Sequence, residues 1–339
     1  MPAKHRYEPP FTLSPKVLHL VAEIGEQIGR YTVLADSRLS PRLRRANRVR
    51  TIHASLAIEN NTLTLDQVTA VIAGRRILGD PREIQEVRNA FAAYEAMGAW
   101  HPASLVDLLA AHGTIMAGLA DDAGRLRAGN VGVFRGDAVV HMAPPAKQVP
   151  RLVDDLLDWL ARTDTHPLVA SCVFHYELEF IHPFSDGNGR MGRLWQTLIL
   201  RQWKPLLACL PVETIVRDRQ ATYYEVLGAS DANANCTPFV EFLLEAIREA
   251  LREATATDQV FDQVTEQVKR VLAHLSDGPL GGAALMVALG LSHRPTFYQN
   301  YLNPALDGGW IERTQPDSPR SPTQQYRLTA KGRQWVGGT

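Results

Sequence analysis

From about residue 15 to residue 255, apolar side chains return every three or four positions, the period of helices buried along one face. Ser40-Pro41 supplies an N-cap residue type followed by proline at the first turn, so a helix is expected from 41 to about Glu59, stopping at Asn60-Asn61. The same spacing predicts helices near 83–97, 104–117, 147–162, 167–181, 189–203, 217–228 and 237–253. One stretch breaks the period. Between Asn130 and Met142, Val131, Val133, Val139 and Val140 flank Arg135-Gly136-Asp137, which reads as a β-hairpin turning at Gly-Asp. Beyond about residue 260 come a helix at 262–275, the segment Leu280–Leu289, and a helix opened by Ser292 and Pro295 that runs to about Leu306. Two short arms follow Gly308-Gly309, at 310–313 and 325–328. The fold class is all-α with one hairpin, and the expected domains are 1–110, 111–255 and 260–339.

The helices at 167–181 and 189–203 are joined by His182-Pro183-Phe184-Ser185-Asp186-Gly187-Asn188-Gly189-Arg190-Met191-Gly192-Arg193. His182 is a base whose ordinary pKa lies near neutrality. Asp186 is a hard oxygen donor of the kind Mg²⁺ takes together with phosphate oxygens. Gly187 and Gly189 let backbone N–H groups turn toward an anion, at the positive end of the helix that follows. Arg190 and Arg193 are three apart on one helix face and can fork onto phosphate oxygens. This is the chemistry of a nucleoside triphosphate held by its phosphates with a divalent metal.

The loop resembles the signature of Fic-domain proteins, His-Pro-Phe-x-Asp/Glu-Gly-Asn-Gly-Arg-x-x-Arg, with every defining position filled. The resemblance implies a protein adenylyltransferase that moves AMP from ATP to a Ser, Thr or Tyr hydroxyl of a target protein or of itself. It makes His182 the base, Asp186 the Mg²⁺ ligand, and Gly187, Asn188 and Gly189 the anion hole. Arg190 and Arg193 hold the β- and γ-phosphates, and Phe184 anchors the loop. Gly187 stands where kinase-type relatives carry lysine, which favours AMP as the transferred group. The hairpin corresponds to the family's flap, with Val139 and Val140 as candidates for contact with nucleotide or target. Tyr224, beside Tyr223, and Asp231 resemble positions near the nucleoside.

A second segment, Ser55-Leu56-Ala57-Ile58-Glu59-Asn60, matches the family's inhibitory pattern Ser/Thr-x-x-x-Glu-Gly/Asn. Ser55 and Glu59 share a helix face. The resemblance pairs Glu59 with Arg193, displacing the γ-phosphate, because one guanidinium cannot satisfy a carboxylate and a phosphate together.

Charge is balanced, with 36 basic and 36 acidic residues, so no global field points to nucleic acid or an anionic membrane. Cys172, Cys209 and Cys236 lack metal spacing and read as core residues of a reducing, cytoplasmic compartment. No apolar stretch approaches the roughly 20 residues of a membrane span, and residues 1–10 lack a signal-peptide core. The tail resembles a winged helix with Thr296–Tyr301 as its recognition helix. Its eight basic residues face six acidic ones, a thin footprint for DNA. Protein interaction or assembly of copies of the chain fits that tail at least as well. Two further functions stay open: removal of AMP with Glu59 orienting water, and a nucleotide-sensing DNA-binding regulator.

Overall fold

Helix starts in this chain are written in polar residues placed just before apolar periodicity. In the computed structural model, which describes residues 6–35, 41–135, 138–262, 264–316, 318, 321 and 323–338, several of those starts are capped by side chains. The helices are α1 (Pro15–Ala35), α2 (Pro41–Ile58), α3 (Leu65–Ile72), α4 (Pro81–Ala96) and α5 (Leu105–Ile115). The hairpin β1 (Gly132–Arg135) and β2 (Ala138–Met142) precedes α6 (Val149–Arg162), α7 (Pro167–Ile181), α8 (Asn188–Trp203), α9 (Val212–Asp218), α10 (Gln220–Asn233) and α11 (Thr237–Asp262). Thr64 and Gln67 form a reciprocal capping box on α3, Asp80 caps α4 ahead of Pro81, and Ser104 caps α5. The chain divides into two compact units near residue 253.

In the first unit α7 is the central helix. Every residue from Leu168 to Leu178 is buried, as expected of a helix that is apolar almost all round. It packs most extensively on α8, whose Met191, Leu194, Trp195 and Leu198 face the same core. The N-terminal strap is tied down by the Tyr7 hydroxyl on the buried Glu177 carboxylate, and by Cys236 N–H donating to Pro10 O at 2.8 Å. In the hairpin, antiparallel pairing sets Val133 opposite His141 and Phe134 opposite Val139, with a bulge between Val133 and Phe134. The turn expected at Gly136-Asp137 lies outside the described residues, as does the Ser40 cap.

The second unit gathers α12 (Glu266–His274), β3 (Leu280–Gly281), α13 (Gly282–Ala288), α14 (Arg294–Phe297), α15 (Asn303–Asp307), β4 (Ile311–Arg313), β5 (Gln325–Leu328) and α16 (Ala330–Gly338). A π-helical turn over Tyr298–Leu302 links α14 to α15, so the helix expected from Ser292 begins at Arg294 and carries a wide turn. The sheet order is β3-β5-β4, all antiparallel, with Ile311 opposite Leu328 and Leu280 opposite Tyr326. Val271, Leu272, Leu285, Phe297, Leu302, Trp310 and Trp335 form its core. Helices before a small β-ribbon fit the winged-helix expectation, and α16 is an addition to it.

Other boundaries differ from expectation. The helix expected over 217–228 is two helices broken at Arg219, where φ and ψ leave the helical region. The expected start of α12 at 262 gives way to Thr265, whose hydroxyl caps that helix. Helices α1 and α3 were not separately anticipated. Among the described residues no helix is long and apolar enough to cross a membrane.

Candidate active site

His182 sits where α7 stops. Its backbone is left-handed, φ 50°, and its N–H still donates to Leu178 O at 2.9 Å, so the chain leaves the helix and turns at this residue. His182 Nδ1 lies 3.4 Å from Glu179 O. A carbonyl only accepts, so Nδ1 carries the proton and Nε2 is the basic nitrogen. Phe184 is fully buried and stacks on His112 with ring centroids 3.7 Å apart. The Asn188 side chain closes the loop on itself, accepting from Phe184 N–H and donating to Phe184 O, both at 2.9 Å. Asn188 therefore shapes the loop with its side chain and offers only backbone to an anion.

Gly187, at φ 83°, is the N-cap of α8, and no side chain caps that end. A Cβ at Gly187 would lie 2.8 Å from the Met116 sulfur, and a Cβ at Gly189 would collide with the Glu59 carboxylate. Gly187 is required by its left-handed φ, whereas a Cβ at Gly189 would push the end of the Glu59 side chain aside. The second contact puts Glu59 directly over the first turn of α8.

The two signature arginines part company. Arg193 is 3% exposed, and its Nε donates to Ser55 Oγ at 2.9 Å. Its Nη2 donates to Ser55 O at 3.0 Å and to Glu59 Oε1 at 2.7 Å. Burial, the largest effect, works against the charged guanidinium, but the Glu59 carboxylate together with Tyr223 and Glu179 holds the pKa above its ordinary value. Asn60 takes φ 68°, the left-handed turn that ends α2, which explains why the segment closes on Asn or Gly. Arg190, also buried, is 3.2 Å from Asp186 Oδ1 and 3.2 Å from Glu86 Oε1. The two arginines, three apart on α8, hold different carboxylates, Arg193 that of Glu59 and Arg190 those of Asp186 and Glu86.

Asp186 is about half exposed, and its carboxylate is held by Arg190, by Arg82 Nη2 at 3.3 Å and by its neighbour Gly187 N–H at 2.6 Å. One exposed carboxylate is the donor set Mg²⁺ uses when most of its other ligands are phosphate oxygens and water. The residues fit a metal that arrives with its nucleotide. Among the described residues, no group of three or more His, Cys, Asp or Glu gathers to hold a metal by itself.

Tyr223 and Tyr224 diverge as neighbours on a helix must. Tyr223 is buried with its hydroxyl 3.2 Å from His175 Nε2, whereas Tyr224 is partly exposed. Burial raises the Tyr224 pKa, and the Glu59 charge adds to it, which sets Tyr224 beside the Glu59 cluster. Asp231 accepts from the Tyr176 hydroxyl at 2.8 Å. Val139 and Val140 lie on β2.

Four residues of the site were not marked by the sequence. Arg127, 4% exposed, donates to His182 O at 2.7 Å, Gly129 O at 2.8 Å, Pro144 O at 2.6 Å and Ile181 O at 3.3 Å. His112 accepts from Gly124 N–H at Nδ1, so its Nε2–H donates to Asp186 O at 3.0 Å. Arg82 and Glu86 complete the Asp186 cluster. Arg82 and Glu86 are one turn apart on α4, His112 is on α5, and Arg127 lies in the segment between α5 and β1, none with a local spacing that ties it to the loop.

Behind Arg193, Glu213 is buried and accepts from Tyr94 Oη at 3.2 Å and Thr197 Oγ1 at 3.3 Å. Burial pushes its carboxyl up to about 7, from 4.5. A raised folded-state pKa means that the unfolded chain loses this proton first. The group's stabilisation is present below about 4.5 and lost as pH rises to about 7, up to about 3 kcal/mol for such a shift. The Glu213→Gln variant should therefore gain thermal midpoint over the wild type between pH 5 and pH 8. A constant difference between the two proteins across that range would disprove the assignment.

Residues 102–200 match the Fic/DOC family model, and residues 266–329 match the C-terminal domain of Fic-like proteins, filamentation induced by cAMP. The crystal structure of a Fic family protein from Desulfovibrio desulfuricans G20 shares 68% identity, covers 96% of this chain and 99% of its own, and superposes with a TM-score of 0.76. Protein adenylyltransferase fic-1 of Caenorhabditis briggsae is 33% identical over 207 residues, 57% of this chain but 38% of that protein. The structure of Fic-1 (residues 134–508) from Caenorhabditis elegans aligns at 26% identity with a TM-score of 0.56, over 72% of this chain and 76% of that one. The chain thus spans less than half the length of the curated relatives it matches.

Proposed function

The chain belongs to the Fic family, and on that footing we propose that it is a protein adenylyltransferase restrained by its own Glu59. The observation that carries the reading is convergence on one uncapped helix start. A base (His182), a single metal-type carboxylate (Asp186) and two buried arginines (Arg190, Arg193) surround the first turn of α8. A helix N-terminus with open amides attracts phosphate.

In this reading Nε2 of His182 takes the proton of a target hydroxyl. The hydroxyl oxygen attacks the α-phosphorus of ATP, the bond from that phosphorus to the α–β bridging oxygen breaks, and pyrophosphate leaves. The amides of Asn188 and Gly189 receive charge on the α-phosphate, the Gly187 N–H being held by Asp186, and the arginines receive charge on the leaving group. Asp186 would hold Mg²⁺, which supplies neutralisation of phosphate charge. Tyr224 offers a face to the base, and the edge of β2 a strand for the target. Glu59 restrains the reaction by occupying Arg193, so that bound ATP lacks its γ-phosphate contact.

The test is incubation of the protein and lysate with ATP labelled at one phosphate at a time. Label on the α-phosphate should become protein-bound, with pyrophosphate released and Mg²⁺ required. Retention of γ-label on protein would instead establish phosphoryl transfer and overturn the proposed orientation.

A further inference from the structure

The Asp186 cluster is a closed ring of alternating charge. Glu86 Oε1 meets Arg190 Nη1 at 3.2 Å, and Arg190 Nη2 meets Asp186 Oδ1 at 3.2 Å. Asp186 Oδ2 meets Arg82 Nη2 at 3.3 Å, and Arg82 Nε returns to Glu86 Oε1 at 4.0 Å. Three members are fixed. Arg190 and Glu86 are largely buried, and Glu86 also accepts from Asn61 Nδ2 at 2.9 Å, while Asp186 belongs to the rigid loop. Arg82 is the most exposed member, at 57% on a long stem.

Its position is otherwise unfavourable. Arg82 is in the first turn of α4, just after the Asp80 cap and Pro81, where the helix dipole disfavours a cation. An exposed ion pair offsets little of that. The guanidinium covers the one carboxylate oxygen of the loop that Arg190 and the Gly187 amide leave to it. A divalent cation taking that oxygen must displace the guanidinium, and the displaced charge lands beside whatever anion the cation brings.

We propose that Arg82 is a third phosphate-binding arginine, outside the signature loop, which covers Asp186 while the site is empty and transfers to the β- and γ-phosphates when metal-bound nucleotide enters. Its planar fork suits phosphate oxygens as well as carboxylate, and the transfer keeps its charge neutralised. The inference rests on the proposed triphosphate site, and it adds a residue that the signature does not contain.

Equilibrium calorimetry on the His182→Ala protein, which would bind without turnover, separates the two. Magnesium ATP and magnesium pyrophosphate should each bind roughly tenfold more weakly when Arg82→Ala is added, as for loss of one charge-assisted contact. AMP, lacking β- and γ-phosphates, should bind unchanged, and Arg82→Lys should recover part of the loss. Equal or tighter binding of magnesium pyrophosphate by Arg82→Ala would overturn the proposal and leave Arg82 a competitor for Asp186. An equal loss for AMP would also overturn it, since that marks a structural effect. Failure of the His182→Ala protein itself to bind ATP would instead sink the triphosphate site.

Discussion

Replacing His182 by alanine should reduce AMP transfer by about 10²–10⁴-fold, the usual contribution of a positioned general base, while ATP affinity stays close to wild type. The asymmetry follows from geometry. In the proposed reading the α8 amides and arginines face the phosphates, whereas His182 stands at the end of the preceding helix, with Nδ1–H turned toward Glu179 O. The backbone adds a complication, because φ 50° is strained for alanine. His182→Asn is the better-controlled variant, since asparagine tolerates the left-handed region and removes the base. Both variants should lose transfer alike and bind ATP alike. Transfer by His182→Asn within about threefold of wild type would remove His182 from the mechanism.

The Glu59→Gly variant should raise auto-modification by about tenfold to a hundredfold. The wild-type carboxylate holds Arg193 by a 2.7 Å charge-assisted contact, worth about 1.5–3 kcal/mol, and under the proposed function a γ-phosphate would need the same guanidinium. Ser55 continues to hold Arg193 through Oγ and O, so the arginine stays in place after Glu59 is gone. Adding Arg193→Ala should abolish the gain, because the two residues act through one contact and their effects cannot add. If Glu59→Gly were no more active than wild type with ATP and Mg²⁺, the end of α2 would be only a helix terminus, and the transferase reading would stand on the loop alone.

The parts of this site that were legible in the sequence are those whose members lie within a turn or two of each other. His182, Asp186, the glycines and both arginines occupy twelve consecutive positions, and a short loop between two buried helices leaves them little freedom. Ser55 and Glu59 are one helical turn apart, which was enough to predict that both reach one partner. The illegible parts are long-range. Arg82 and Glu86 come from α4, His112 from α5 and Arg127 from the segment before β1, and only packing brings them to the loop. Tyr223 and Tyr224 illustrate a different limit: neighbours on a helix point about 100° apart, so sequence says that one faces inward but not which. The break at Arg219 and the wide turn at Tyr298–Leu302 were hidden because an uninterrupted apolar period looks the same across either irregularity.

Under the proposed function, Arg127 bears on how a target would be aligned. One guanidinium clasps the residues on either side of the hairpin, through Gly129 O and Pro144 O, and also the carbonyl of His182. The hairpin and the histidine are thereby riveted to the same side chain. A substrate strand laid along β2 would inherit its distance from the histidine from that rivet, whatever its sequence. Grafting this hairpin or this loop into another scaffold should accordingly fail to align the two unless the arginine travels with them.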